Sequence, residues 1–127
     1  MAIKNTFERA ERLKSAAIIA RLFKEGESFM AYPLRIVWLP LPADPPPPFP
    51  VQVAFSVSKR VFKTAVARNR LKRRMREAYR LHKSGWYDRL HEAGSPALAV
   101  MLLYVAKEPL PYAEIEGGVR KMMRKMP

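Results

Sequence analysis

Residues 51–80 read VQVAFSVSKRVFKTAVARNRLKRRMREAYR, and the change of pattern inside this stretch decides the fold. Its first part, VQVAFSVS at 51–58, alternates large apolar residues with smaller or more polar ones, which is typical of a strand with one buried face. Its second part takes up helical spacing, and we predict a helix over about 65–83 with Ser84 and Gly85 as its stop. A strand that leads into a long basic helix therefore forms the centre of the chain.

The predicted helix and the turn before it carry almost half of the positive charge of the chain. Leu71, Met75 and Ala78 fall on one narrow apolar stripe with Tyr79 and His82 beside it, so the rest of the helix surface is cationic. An ordinary solvated face would carry acidic partners at i,i+4 spacing, and this segment has almost none. Arginine outnumbers lysine, which suits bidentate contact with phosphate. The basic residues are Lys59, Arg60, Lys63, Arg68, Arg70, Lys72, Arg73, Arg74, Arg76, Arg80 and Lys83.

The composition of the whole chain also indicates a polyanionic partner. It has 24 Lys and Arg against 11 Asp and Glu, a formal net charge of +13 at pH 7. Nucleic acid is the commonest partner of so basic a small domain, followed by anionic membrane. A membrane-active basic helix is disfavoured because the apolar stripe is narrow. With 127 residues, 49% of them hydrophobic, we expect a single domain over 1–127.

Several classes of site and location are excluded by what the sequence lacks. The chain has no cysteine, which excludes disulfides, thiolate zinc sites and cysteine nucleophiles. Its first residues are polar and charged where a secretory signal would be apolar, and no stretch approaches the roughly 20 apolar residues of a membrane span. We therefore expect a cytoplasmic protein without a membrane partner.

The rest of the chain supplies a helix on each side of a set of strands. The predicted elements are a helix capped by Ser15 and running to about Glu25, a brief strand at 28–30, a strand at 34–41, a proline-rich loop at 40–50, a strand at 95–106 and a last helix at about 112–125. The loop contains seven prolines, and we expect it to be a stiff hairpin connection. The order predicts an α+β or α/β sandwich, αβββαβα, in which helices pack on one sheet.

At Ser56–Arg80 the sequence resembles the protein component of bacterial ribonuclease P. The hallmark of that family is Arg-Asn-Arg followed by x-Lys-Arg and a basic helix, and residues 68–73 match it position by position. RLKS at 12–15, LFKEG at 22–26 and the late apolar strand also fall at the usual positions of the family. The chain departs from the family pattern in having no glycine shortly after Lys59-Arg60 and in carrying the proline-rich loop.

The resemblance implies a fold and two binding surfaces. The fold is α+β with one sheet and a left-handed βαβ crossover (ribosomal protein S5 domain 2-like), an exception to the usual right-handed rule. A cleft between the first helix and the open sheet face would hold a single-stranded RNA leader. The implied cleft residues are Arg12, Ile19, Phe23, Arg35, Trp38, Ala54 and Ser56, while Phe55 and Val57 are expected in the core. The implied contacts to the catalytic RNA are Arg68, Asn69, Arg70, Lys72, Arg73, Arg74 and Arg76, with Lys59 and Arg60 near the leader or the cleavage site.

The implied function is that of a subunit of an endoribonuclease that removes the 5′ leader from precursor tRNA. The chain has two histidines, no HxxxH or HExxH motif, and no DxD or ExxE cluster near the basic segment, so no catalytic residue or metal ligand is expected in the protein. The family assigns the chemistry to the RNA subunit and its Mg²⁺ ions. The expected partners are the catalytic RNA and precursor tRNA, without an obligate protein partner. A ribosome-associated RNA-binding protein is the alternative, because a similar scaffold and basic surface occur there.

Overall fold

The computed structural model describes residues 6–42 and 47–127, which form three α-helices and four β-strands after a short 3₁₀ turn. In chain order these are the turn Arg9–Glu11, α1 Ala16–Glu25, β1 Glu27–Ala31, β2 Leu34–Pro40, β3 Val51–Val57, α2 Ala65–Glu92, β4 Leu98–Tyr104 and α3 Tyr112–Lys125. The predicted N-cap of α1 is confirmed, because the Ser15 hydroxyl accepts a hydrogen bond from the Ile18 amide at 3.2 Å.

The four strands form one sheet in the order β1-β2-β4-β3. β1 pairs with β2 and β2 with β4 in antiparallel fashion, whereas β3 and β4 are parallel. Parallel neighbours need a crossover, and α2 provides it. The α+β class with a single sheet is thus confirmed, while the hand of the crossover stays a prediction. The proposed hairpin between β2 and β3 is wrong, because β4 lies between those two strands.

The sheet separates two apolar cores. The larger lies between the sheet and the pair α2 and α3, and takes in alternate strand residues such as Ile36, Val53 and Leu102. The smaller lies on the α1 side, where Leu22 packs with Val37 and its neighbours. The central strands β2 and β4 therefore bury residues on both faces, whereas α1 is short and leaves part of its face of the sheet open.

Helix α2 is longer than the sequence pattern indicated. We predicted an end at Lys83, but the helix continues through Ser84 and Gly85 to Glu92, and the chain turns at Gly94 with a φ of +65°. The cause is a continuation of the apolar stripe, which outweighs the helix-weakening effect of one serine and one glycine. His91, which lies beyond the predicted end at Lys83, is in this last part of the helix. The residues that α2 buries are Leu71, Met75, Ala78, Tyr79, Lys83, Trp86, Tyr87 and Leu90.

The turn between β3 and α2 forms without glycine. The Phe62 amide donates to the Ser58 carbonyl at 3.0 Å, and the Arg60 amide donates to the Ser58 hydroxyl at 3.1 Å. No non-glycine residue in the described ranges has a positive φ, so this turn needs no left-handed position. Of the proline-rich loop at 40–50, residues 43–46 lie outside the described residues.

Candidate RNA interface

The exposed side of the first half of α2 is a cationic surface. Asn69, Arg70 and Arg73 are all exposed and surround a small depression together with Val66, whose side chain is 69% exposed. An apolar side chain flanked by two guanidinium groups suits contact with an RNA backbone and its sugars. These three polar residues are among those predicted to bind the catalytic RNA, and the structure brings them together.

Two other arginines of the predicted set also hold the protein itself together. The Arg68 guanidinium donates to the Phe62 carbonyl at 2.8 Å and so ties the turn before α2 to the helix. The Arg74 guanidinium donates to the Leu110 carbonyl at 2.7 Å, which fixes the segment leading into α3. Each has further donors available, because a guanidinium carries five N–H groups.

A second cationic surface, which we call the basic depression, lies where the N-terminal segment meets α2. It has a volume of about 250 Å³ and includes Arg12, Lys72 and Arg76. The Nε atom of Arg76 is buried and has no hydrogen-bond partner among the described residues. Burial lowers the pKa of Arg76, and the neighbouring charges of Arg12 and Arg73 lower it further. Cations that share one depression favour binding of an anion, which would relieve their repulsion.

The open part of the α1 face forms a groove of about 460 Å³, which we call the α1 groove. Phe23 projects from α1 with 60% of its surface exposed, and Arg35 and Ser56 lie on the sheet below it. The Arg35 guanidinium donates to the Ser28 hydroxyl at 3.3 Å, which leaves most of its donors free to face the groove. An aromatic ring beside a cation is the combination that single-stranded nucleic acids use for stacking and backbone contact. The other lining residues are Leu22, Gly26, Val37, Ser58, Leu103, Tyr104 and Val105.

The remaining residues predicted for the leader cleft lie at three different places. Ile19 and Ala54 are half-buried and pack against the smaller core under α1. Arg12 lies in the basic depression, which Ala54 also lines. Trp38 does not belong to the groove, because it packs against the larger core on the opposite face of the sheet. The physical reason is strand parity, since positions 35 and 38 on one strand point to opposite faces.

Lys59 and Arg60 lie at the end of the α1 groove. Both are exposed, and they directly follow Ser58, which lines the groove. The turn that carries them leads into the cationic surface of α2. The groove and the basic surface are therefore adjacent along the chain at this turn.

In the described ranges 6–42 and 47–127, no group of three or more His, Asp or Glu side chains is arranged to hold a metal ion. His82 lies 2.9 Å from a carboxylate oxygen of Glu116 on α3, so its ring links the two helices. No helix in this part of the chain is long and apolar enough to cross a membrane.

Comparison with known proteins places the chain in a family. The family model described as Ribonuclease P matches residues 7–126. The chain belongs to the ribonuclease P protein family. It is 34% identical to the ribonuclease P protein component of Chlorobaculum tepidum over 128 residues, covering 96% of this chain and 83% of the relative. It is 35% identical to that of Porphyromonas gingivalis over 116 residues, covering 91% and 82% of the two chains.

Solved structures support the fold of the family. The ribonuclease P protein of Thermotoga maritima superposes with a TM-score of 0.70 at 18% identity, covering 92% of this chain and 98% of that one. The protein from Staphylococcus aureus gives a TM-score of 0.64 at 20% identity, covering 91% and 94%. At these identities the likeness concerns the fold alone.

Sequence reasoning missed the residues that anchor the N-terminal segment. Glu11 and Lys83 form a fully buried ion pair, although both look like surface residues in the sequence. They are separated by 72 positions, and charge alone gives no signal of such a contact. The only available indication was that Lys83 continues the apolar stripe of α2 at helical spacing.

Proposed function

We propose that this chain binds the catalytic RNA of ribonuclease P through its two cationic surfaces and holds the 5′ leader of precursor tRNA in the α1 groove. The observation that carries the proposal is the continuity of these features at the turn 58–63. An RNA backbone on α2 and a single strand in the groove could then be parts of one ribonucleoprotein surface. Family membership supports this proposal, since the relatives are protein components of ribonuclease P.

The division of labour follows from the chemistry of the side chains. Arginine and lysine groups neutralise RNA phosphates, which lets two polyanions approach each other. We propose that the RNA subunit carries the hydrolytic step and holds the Mg²⁺ ions, and that the protein has no catalytic residue and binds no metal tightly. We further propose that the complex needs no obligate protein partner and works in the cytoplasm.

Cleavage of a labelled precursor tRNA by a bacterial ribonuclease P RNA at low magnesium tests the proposal. We expect the protein to stimulate cleavage and to yield the correct 5′ end, because it lowers repulsion between the two RNAs. A basic protein of similar size and charge is the control for non-specific screening. Equal stimulation by that control, or no stimulation with any matched RNA, would contradict the proposed function.

A comparison of precursor and mature tRNA tests the role of the groove. Precursor tRNA has the leader and mature tRNA does not, so groove contacts should raise affinity only for the precursor. We expect the protein to increase the affinity of the RNA subunit for precursor tRNA more than for mature tRNA. Equal effects on both would contradict binding of the leader in the α1 groove, but not binding of the catalytic RNA by α2.

A further inference from the structure

A buried polar network joins Glu11, the residue before Arg12, to α2. Glu11 and Lys83 are both 0% exposed, and the Lys83 ammonium donates to a Glu11 carboxylate oxygen at 2.5 Å. The Tyr87 hydroxyl donates to the other Glu11 oxygen at 2.7 Å. Tyr79 in turn lies 2.6 Å from Tyr87, oxygen to oxygen. Both carboxylate oxygens of Glu11 are therefore occupied.

This network attaches the N-terminal segment to α2. The Lys83 ammonium also donates to the Thr6 carbonyl, and the Glu8 amide donates to Glu11 at 3.0 Å. Because its carboxylate is held at two oxygens, Glu11 fixes the backbone immediately before Arg12. On the other side of Arg12, the Leu13 amide donates to the Val53 carbonyl at 2.9 Å.

Arg12 is thus held on both sides, and it faces other cations. It lines the basic depression with Lys72 and Arg76, and its guanidinium lies 5.5 Å from the centre of the Phe7 ring. Three like charges around one depression repel one another unless an anion is present. The anchored backbone fixes where the Arg12 side chain begins, and the Phe7 ring packs against its guanidinium group.

A buried ion pair is a weak source of stability. Removing two charges from water costs several kcal/mol, and apolar replacements of the same volume are often as stable or more stable. What such a pair does provide is one fixed geometry, because each charge must find its partner. The Glu11–Lys83 pair is therefore better explained by the position it imposes than by the stability it adds.

We propose that Glu11, Lys83 and Tyr87 are positioning residues that hold Arg12 beside Lys72 and Arg76, so that the three cations converge on one phosphate of the catalytic RNA. The inference rests on the proposed function for the identity of the RNA. It assigns a role in RNA binding to residues that cannot touch RNA themselves, since Glu11 and Lys83 are completely buried.

The test compares Glu11→Gln with Glu92→Gln in the full-length protein. Both changes replace one carboxylate by an amide and raise the net charge by one, but Glu92 is exposed at the end of α2. On general electrostatics both variants should bind RNA slightly more tightly. We expect Glu11→Gln instead to bind ribonuclease P RNA about tenfold more weakly, the scale of one lost charge-assisted hydrogen bond. The slope of log affinity against log salt should fall by about 0.7–0.9, equivalent to one phosphate contact.

A double-mutant cycle separates positioning from general destabilisation. Arg12→Ala should give the same loss of affinity and of salt slope, and the double variant Glu11→Gln with Arg12→Ala should be no weaker than Arg12→Ala alone. Affinities are measured at a temperature at which thermal melting shows every variant to be folded. The inference is overturned if the double variant loses affinity by the product of the two single losses. It is also overturned if Glu11→Gln is folded and binds RNA as tightly as Glu92→Gln.

A milder pair keeps the test valid if Glu11→Gln does not fold. Tyr87→Phe removes one hydrogen bond to Glu11, whereas Tyr79→Phe removes a hydroxyl that contacts Tyr87 instead. Only Tyr87→Phe should lower the salt slope, and equal slopes for the two would overturn the inference. The same variants are also tested on polyuridylate, because Arg12 can contact a phosphate of that RNA too. If the wild type does not prefer ribonuclease P RNA to polyuridylate, the proposed function is contradicted. The role of Glu11 is then still measured by the effect of its variant on polyuridylate binding.

Discussion

Arg68 and Arg70 lie two positions apart at the start of α2, but their surroundings differ. Arg70 is exposed beside the depression around Val66, whereas Arg68 donates to the Phe62 carbonyl. Arg70 is therefore available for RNA contact alone, whereas Arg68 also stabilises the turn before the helix. Spacing within the Arg-Asn-Arg motif therefore does not make its two arginines equivalent.

Replacement of each arginine by alanine should separate these roles. We expect Arg70→Ala to weaken binding to the catalytic RNA and to reduce the salt slope by about 0.7–0.9, with unchanged thermal stability. Arg68→Ala should weaken binding and also destabilise the protein by about 1–2 kcal/mol, because the Phe62 carbonyl loses its partner. Filter binding and thermal melting measure the two effects. Equal melting temperatures for both variants would contradict a structural role of Arg68.

Phe23 offers a test of the α1 groove at a single side chain. Its ring is 60% exposed, so Phe23→Ala should leave stability nearly unchanged and remove a stacking surface worth about 1–3 kcal/mol per base. We expect weaker binding of precursor tRNA to the holoenzyme and unchanged binding of mature tRNA. Trp38→Phe on the opposite face of the sheet is the control and should not discriminate between the two RNAs. A similar loss for mature tRNA would show that Phe23 does not contact the leader.

The cleft residues show what sequence can predict at this scale. Phe23, Arg35 and Ser56 were identified by the resemblance and meet in one groove. Trp38 could have been excluded from the sequence itself, because three positions along a strand change the face. The place of Arg12 could not, since it depends on a contact between the N-terminal segment and α2 that leaves no local pattern.

At the scale of elements, the end of α2 is decided by competition between local and tertiary preferences. Ser84 and Gly85 are weak helix formers and suggested a stop, yet Trp86, Tyr87 and Leu90 continue the buried stripe beyond them. Burial of three large side chains gains several kcal/mol, against about 1 kcal/mol lost at one glycine. The apolar spacing beyond Gly85 indicated a longer helix, but the prediction gave more weight to Ser84 and Gly85 than to this spacing.

Two glycine substitutions of opposite expected sign test the end of this helix. Gly85 lies inside the helix with nothing within 4 Å of an added Cβ, so Gly85→Ala should stabilise the protein by about 0.5–1 kcal/mol. Gly94 has a φ of +65°, so Gly94→Ala should destabilise it by about 1–2 kcal/mol. Chemical denaturation of the two variants measures both. A destabilised Gly85→Ala would mean that the helix ends where the sequence suggested.

The contact between α2 and α3 should depend on pH. The hydrogen bond from His82 lowers the pKa of Glu116, so the charged carboxylate is favoured in the folded state. A carboxyl group with a lowered pKa adds stability above its unfolded pKa, and this contribution is lost as the pH falls through the folded value. We expect Glu116→Gln to melt below the wild type near neutral pH and the difference to vanish in acid. Glu114→Gln, exposed on the same helix, is the control; a pH-independent difference would contradict the assignment.

At the scale of the molecule, the helices and strands follow from the sequence but the strand order does not. Periodicity predicts that 34–41, 51–58 and 95–106 are strands, but it does not indicate which of these strands pair with each other. Insertion of β4 between β2 and β3 requires the parallel crossover through α2, which only the resemblance implied. The buried Glu11–Lys83 pair is invisible for a related reason, since it joins residues far apart whose charges suggest the surface.

The net charge of +13 should make salt act in opposite directions on folding and on binding. In the free protein, arginines around the basic depression repel one another, so screening by added salt should raise the melting temperature. In the complex the same charges neutralise phosphates, so added salt should weaken affinity by about 0.7–0.9 log units per log unit of salt for each contact. Sulfate should stabilise the free protein more than chloride at equal ionic strength, because a divalent anion can occupy the depression. Melting temperatures of the wild type and of Arg76→Ala in both salts measure the effect of sulfate. If sulfate raises the melting temperature equally in the two proteins, the stabilisation comes from screening and not from an anion bound in the depression.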